Sequence, residues 1–161
     1  MGVDAKERAD RARQNFMDGY NCSQAVVMAF ADLVEEAGLD AEAVCRLASP
    51  FGGGMGRLTE VCGCVSGSLM VLGLVRGYED PKDFAAKKRL YAEVQELAAH
   101  NRDENGSIVC RELLGLAKRG PDDPTPERRS NADYRKRPCP ELCAVAARIL
   151  AEHLAEAGEG A

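Results

Sequence analysis

The sequence predicts an all-α fold, an irregular single-domain helical bundle around a glycine-rich central helix. Three observations carry this. Apolar residues recur at three- and four-residue spacing through most of the 161 residues. Capping residues and prolines open these runs, and glycines close them. No run of useful length alternates with the two-residue period of a strand.

Each element follows from those signals in order. Asp4 with Glu7 reads as a capping box, and Ala5, Ala9, Ala12 and Phe16 continue at helical spacing until Gly19. Asn21 with Gln24 repeats the box. Cys22, Val26, Phe30, Leu33 and Ala37 then share one face, so one helix is predicted up to Gly38. Asp40 opens a shorter helix through Val44 and Leu47, which Pro50 closes. Phe51 to Gly56, with four glycines, is a loop by composition.

Thr59 is predicted to cap the central helix, which runs to about Arg76. Each interior Gly there costs about 1 kcal/mol relative to Ala. Such a helix persists only where close packing offsets the cost. Gly63 and Gly67 lie one turn apart, so a second backbone or a ligand can approach them. Asp80-Pro81 starts the next helix, with Phe84, Leu90, Tyr91, Val94, Leu97 and Ala98 as its apolar face and an end near Arg102. Asn105-Gly106 is a turn, and Ser107 caps a short helix, Ile108 to Leu114, ended by Gly115. Residues 121–138 hold four Pro and nine charges, which makes a surface loop. Pro140 starts the last helix, with Leu142, Val145, Ile149 and Leu154 inward and Gly158 beyond its end. Residues 1–161 therefore read as one helical domain without an internal repeat.

Composition narrows the function. A chain of this length buries roughly 70% of its unfolded surface and needs no disulfides to fold. The net charge of −5 argues against nucleic-acid binding. The 121–138 loop, with five positive and four negative residues, makes no basic patch. The N-terminus is charged from Asp4 and lacks a signal-peptide core. The uncharged stretch Val61 to Val75 is too short and too polar to span a membrane. Seven cysteines, an odd number, without a secretion signal point to a reducing, cytoplasmic location.

The cysteines fall in a pattern. Cys22 follows the Asn21 cap, Cys62 and Cys110 each lie three residues after a predicted cap, and Cys139 occupies the cap before Pro140. Cys45, Cys64 and Cys143 fall just past a first turn. Free N–H donors at a helix start favour a thiolate, the form that binds metals and attacks disulfides. Four such starts converging on one point would suit an anionic iron–sulfur cluster, with the Gly52, Gly53, Gly54 and Gly56 loop adding N–H groups. No C-x-x-C pair, ferredoxin spacing or C-x-x-C-H haem site is present, and the glycine loop lacks the Lys-Ser/Thr of a P-loop. His100 and His153 are isolated and read as a surface or core histidine each. On its own turn geometry, Cys64 would point about 200° away from Cys62 and stay out of its site.

Taken in order, Asn21-Cys22-Ser23-Gln24-Ala25, Gly52-Gly53-Gly54-Met55-Gly56, Cys62-Gly63-Cys64-Val65-Ser66-Gly67, Cys110-Arg-Glu-Leu-Leu-Gly115 and Cys139 resemble the C-GCAxxG-C-C family of redox-active proteins, over about residues 10–152. The family's four cysteines correspond to Cys22, Cys62, Cys110 and Cys139. Similar domains occur in split-Soret cytochromes, where an iron–sulfur centre accompanies the haems. The family motif usually reads Cys-Gly-Ala-x-x-Gly, and here Cys64 stands at the Ala position. The resemblance implies redox activity and agrees with a cluster.

The leading expectation is a cytoplasmic redox protein whose Cys22, Cys62, Cys110 and Cys139 hold an iron–sulfur cluster of unspecified type and carry electrons to a partner protein. Whether it is an enzyme is left open, and a homo-oligomer is allowed. One alternative is a thiol–disulfide protein using Cys62 and Cys64, without a cofactor, where Cys143 could be a further thiol. Another is a structural zinc site, and a copper-binding bundle follows from thiolate softness alone.

Overall fold

The computed structural model describes residues 4–116, 123–129 and 137–159. Its helices are α1 (Ala5–Met17), α2 (Cys22–Met28), α3 (Ala31–Glu36), α4 (Ala41–Ala48), α5 (Gly63–Arg76), α6 (Phe84–Asn105), α7 (Cys110–Leu113) and α8 (Cys139–Glu159). The described residues contain no strand, only one antiparallel bridge between Val61 and Val109. The all-α prediction holds. Of the predicted 121–138 loop, residues 121–122 and 130–136 lie outside the described residues, and 123–129 are exposed.

α5 sits at the centre, packed against α2, α3, α6 and α8, while α1 runs along α8. Its glycines make this possible. A Cβ on Gly67 would lie 2.6 Å from the Ser23 carbonyl oxygen, and one on Gly63 would lie 2.4 Å from the Cys22 sulfur. Neither separation is tolerable for real atoms, so only glycine lets the start of α2 lie on α5. The close approach expected from the sequence is thus made by a neighbouring backbone. Around it, Phe30, Leu72, Leu97 and Leu150 are the largest wholly buried apolar side chains.

The Asn21 capping box is complete, with Gln24 N–H donating to Asn21 Oδ1 at 3.0 Å and Asn21 N–H to Gln24 Oε1 at 3.2 Å. At α1 only half of the predicted box forms. Asp4 accepts from Lys6 N–H, while Glu7 pairs with Arg11 one turn on.

The single helix predicted from Cys22 to Ala37 is two, broken at Ala29–Phe30. Leu33 N–H bonds to Phe30 O, so the Ala29 carbonyl is left out of the helical ladder. Buried Arg8 donates to that carbonyl at 2.9 Å, pairs with Asp32, and lies 4.6 Å from the Phe30 ring centroid. The break therefore supplies the buried guanidinium with an acceptor.

Three other predicted starts move. Thr59 does not cap the central helix. It has a φ of 57°, and Cys62 takes the cap position because residues 59–62 are held by residues 108–111 instead. α6 starts at Phe84 with Asp83 as its cap, since Asp80 and Pro81 close a turn before it. It also runs on to Asn105, past the expected end near Arg102. Its inward line is Leu90, Val94, Leu97 and Asn101. Phe84 and Tyr91, predicted to share the apolar face, are exposed, and Lys87 lies 5.5 Å from the Phe84 ring. α7 starts at Cys110, while Ser107 Oγ caps the preceding turn by accepting from Val109 N–H. α8 ends at Glu159, past Gly158.

Arg76, Glu93 and His153 tie α5, α6 and α8 together, with Arg76 to Glu93 at 2.6 Å and His153 to Glu93 at 2.7 Å. His153 is thereby a partnered core histidine, and His100 is exposed.

Two glycines of the same helix should respond oppositely to alanine. Gly67→Ala forces a methyl group into the α2 backbone and should destabilise by at least about 1–3 kcal/mol. Gly73 has open space where its Cβ would go. Gly73→Ala should therefore stabilise by up to about 1 kcal/mol. Urea denaturation of the two variants, compared at constant slope, measures both.

Candidate cysteine site

The chain places its four family-type cysteines through separate local devices. The Asn21 box fixes the first turn of α2, and Asn21 Nδ2 also donates to the Ser49 carbonyl at 2.9 Å, so Cys22 is anchored against the segment before the glycine loop. Cys62 and Cys110 are registered with each other across the Val61–Val109 bridge. Cys62 N–H donates to Ile108 O at 2.8 Å, and Cys110 N–H to Glu60 O at 2.6 Å. Cys139 opens α8, which is held to α1 by the two-pronged Arg13–Glu141 pair at 2.7 and 3.1 Å.

The glycine loop makes a left-handed turn. Gly53, Gly54, Met55, Gly56 and Arg57 all have φ between 56° and 70°. Such residues cost about 1–2 kcal/mol each unless they are glycine, so three glycines remove most of that strain and Met55 and Arg57 retain it. Thr59 N–H and Glu60 N–H bond back to the carbonyls of Gly53 and Gly54. A Cβ on Gly54 would lie 2.8 Å from that of Cys110, so the loop is pressed against α7.

Cys22, Cys62, Cys64, Cys110 and Cys139 all line one cavity of about 300 Å³. Gly52, Gly53 and Gly56 line it too, while Gly54 packs behind. The placement of the four cysteines at helix starts holds: Cys62 is the cap of α5, and Cys22, Cys110 and Cys139 are the first residues of α2, α7 and α8. Cys45 lies on α4 and is not among the lining residues. Cys143 is fully buried beneath.

Cys64 departs from expectation. Because Cys62 has cap geometry (φ −53°, ψ 129°) rather than helical geometry, the 200° separation does not apply. The Cys64 thiol instead lies among the other sulfurs, 3.2 Å from Cys143 Sγ with either sulfur as donor, and it also interacts with Cys22 and Cys62.

Hydrogen bonds and burial together set the acidity of each thiol. Donation from Cys64 brings the Cys22 thiol down to about 6, against its burial, with help from the N–H groups of Gly53 and Ser23. Cys62 is lowered by the same donor, again against burial, and then by the N–H groups of Cys64 and Val65. Cys64 is held well above the ordinary thiol value, first by its hydrogen bond with Cys143, then by those with Cys22 and Cys62 and by burial. Burial pushes Cys110 and Cys139 up to about 12, and the neighbouring sulfur charges push in the same direction. The expectation that a helix start acidifies each thiol is therefore met at Cys22 and Cys62 and fails at the other two. The reason is that burial, followed by the charges of the neighbouring sulfurs, favours the neutral thiol at both positions.

Arginines stand at the rim. Arg57 Nε donates to Asp123 O at 2.9 Å, and Arg129 donates to the carbonyls of Phe16 and Tyr20 and covers the Phe16 ring at 4.0 Å. Arg137 also lines the cavity and pairs with Glu127. The sequence reading treated this segment as a charge-balanced loop and missed its place over the cysteines. The one available signal was the clustering of basic residues just before Cys139.

Among the described residues, no three Cys, His, Asp or Glu side chains are grouped closely enough to hold one metal ion. No helix among them is long and apolar enough to cross a membrane.

Residues 20–153 match the model of the family described as "Putative redox-active protein (C_GCAxxG_C_C)". The chain belongs to this family. No curated protein and no solved structure matches the chain. The family is thus described by redox activity only at that coarse level, and the cavity is where this chain's family-type cysteines meet.

Alkylation should show the effect of the Cys64 hydrogen bond. In reduced, metal-free protein, the rate of Cys22 modification by iodoacetamide should rise with a midpoint near pH 6 instead of the ordinary 9.0. Cys64→Ala removes the donor and should move that midpoint upward. Mass-spectrometric mapping of the alkylated residue against pH measures both.

Proposed function

We propose that Cys22, Cys62, Cys110 and Cys139 hold an iron–sulfur cluster and that the protein carries electrons to and from a partner protein. The observation that carries this reading is the convergence of all four on one cavity from four separate helix starts. Four thiolates are the usual ligand set of such clusters.

The fit of the group rests on the cavity itself. A space of about 300 Å³ is many times the roughly 10–15 Å³ that one water occupies on this measure. A single tetrahedral ion draws its sulfurs to about 2.3 Å from itself, and no described group of ligands is that tight. The cavity's volume and its four family-type cysteines suit a polynuclear cluster. N–H groups of Gly53 and Ser23 directed at the Cys22 sulfur, and of Cys64 and Val65 at the Cys62 sulfur, stabilise negative charge there. Hydrogen bonds to ligand sulfurs also set reduction potential. When bound, the cluster supplies reversible one-electron chemistry. The rim arginines Arg57, Arg129 and Arg137 add positive charge around an anionic group.

Protein purified without air should contain iron and acid-labile sulfide and absorb in the visible. Ser at Cys22, Cys62, Cys110 or Cys139 should each remove most of the iron, because one ligand position opens. Cys45→Ser should keep it. Stoichiometric zinc without sulfide would overturn the cluster, and equal losses for all five variants would indicate general destabilisation.

A further inference from the structure

Two cysteines lie outside the four-ligand set and yet touch each other. Cys64, second residue of α5, and Cys143, fifth residue of α8, have sulfurs 3.2 Å apart across 79 residues of sequence. Both are fully or almost fully buried, at 2% and 0% exposure. They belong to two helices that pack directly on each other. Cys64 also lines the cavity, so one sulfur of the pair can be reached from it. The family motif has Ala where this chain has Cys64, so the four-cysteine pattern does not require the pair.

We propose that Cys64 and Cys143 form a second redox couple, a dithiol that closes to an internal disulfide by exchange with a low-molecular-weight disulfide entering the cavity. A disulfide bond is about 2.05 Å long, so the sulfurs must approach by a little over 1 Å.

The chemistry balances in two exchanges. Cys64 first gives its proton to the neighbouring Cys22 thiolate, which returns it to the departing RS⁻, and the Cys64 thiolate attacks one sulfur of the small disulfide RSSR. A Cys64–S–S–R bond forms, the S–S bond of RSSR breaks, and one RSH leaves with the Cys64 proton. The Cys143 sulfur then attacks the Cys64 sulfur of that mixed disulfide. The Cys64–Cys143 bond forms, the bond to R breaks, and a second RSH leaves with the Cys143 proton. The two cysteines lose two electrons, and RSSR gains them.

Cys64 lines the same cavity as the four family-type cysteines, although formation of the couple does not depend on a cluster.

The test uses the full chain, reduced and then exposed without air to bis(2-hydroxyethyl) disulfide. Peptide mapping without reduction should find one linked pair, Cys64–Cys143, whose two thiols are lost together and restored by dithiothreitol. Helical circular dichroism should stay unchanged. Cys64→Ala, which installs the residue usual in the family, should abolish the linked peptide and spare those two thiols' worth of loss. Cys143→Ala should leave Cys64 as a mixed disulfide with the reagent. The proposal is overturned if Cys64 links instead to Cys22 or Cys62, if the pair stays reduced at every reagent ratio, or if the link forms only in denaturant. Iron and sulfide content do not enter this readout. Its failure leaves the cluster reading standing, and a protein without iron leaves this one standing.

Discussion

The contact on which the rest of the structure depends is the seating of α2 on α5 at Gly63 and Gly67. A single methyl group at either position would collide with the Cys22 sulfur or the Ser23 carbonyl. Because both are glycine, the first turn of α2 and the first turn of α5 lie against each other, and the cysteines at those two starts meet. The remaining devices extend this pair. The Val61–Val109 bridge brings in Cys110, and the packing of α8 on α1, α2 and α5 brings in Cys139 and Cys143. Interior glycine is normally a cost to a helix. Here it is offset by van der Waals contact along a backbone-to-backbone seam.

Gathering sulfurs creates an electrostatic conflict that the structure resolves unequally. Several thiols cannot ionise together at short range, because each thiolate raises its neighbours. Two of them, Cys22 and Cys62, receive donors and are lowered; Cys110 and Cys139 receive none strong enough and are raised. The asymmetry comes from the Cys64 hydrogen bonds and backbone N–H groups at Cys22 and Cys62, and from burial at Cys110 and Cys139. A polynuclear cation-bearing group would remove the conflict by compensating charge, which is the physical case for a cluster in this cavity. Without it, the site is a set of thiols differing in acidity by position, with the internal dithiol beneath.

Capping chemistry was read correctly where it is purely local. The Asn21–Gln24 box, the Asp40 cap and the left-handed Gly19, Gly38, Gly106 and Gly115 all depend on a few neighbouring residues. The larger departures arise where a distant partner competes, whereas Glu7 leaves the Asp4 box for the nearby Arg11 and Asp80–Asp83 form a local turn. Thr59 is a good cap by type, but its backbone is engaged by residues from α7, which delays α5 until Cys62. The Cys22–Ala37 periodicity suits one helix, but Arg8 from α1 claims the Ala29 carbonyl. Tyr91 and Phe84 are apolar at helical spacing, yet α6 turns Leu90, Val94 and Leu97 inward, and nothing in the local pattern ranks one stripe above the other.

The sequence by itself determined the all-α class, the order of the helices, the small-residue face of α5 and the position of four cysteines at helix starts. These are properties of spacing and residue type within a few residues of chain. Only the tertiary structure decided that those starts face a common cavity, that Cys64 stands among the other sulfurs, and that Cys143 lies in contact with it. Convergence depends on how helices cross, and crossing is fixed by contacts between residues far apart in sequence, such as Gly67 with Ser23 and Arg13 with Glu141. The direction of the Cys64 side chain turned on one φ/ψ pair at Cys62, set by hydrogen bonds to residues 108–111, which no helical period could reveal.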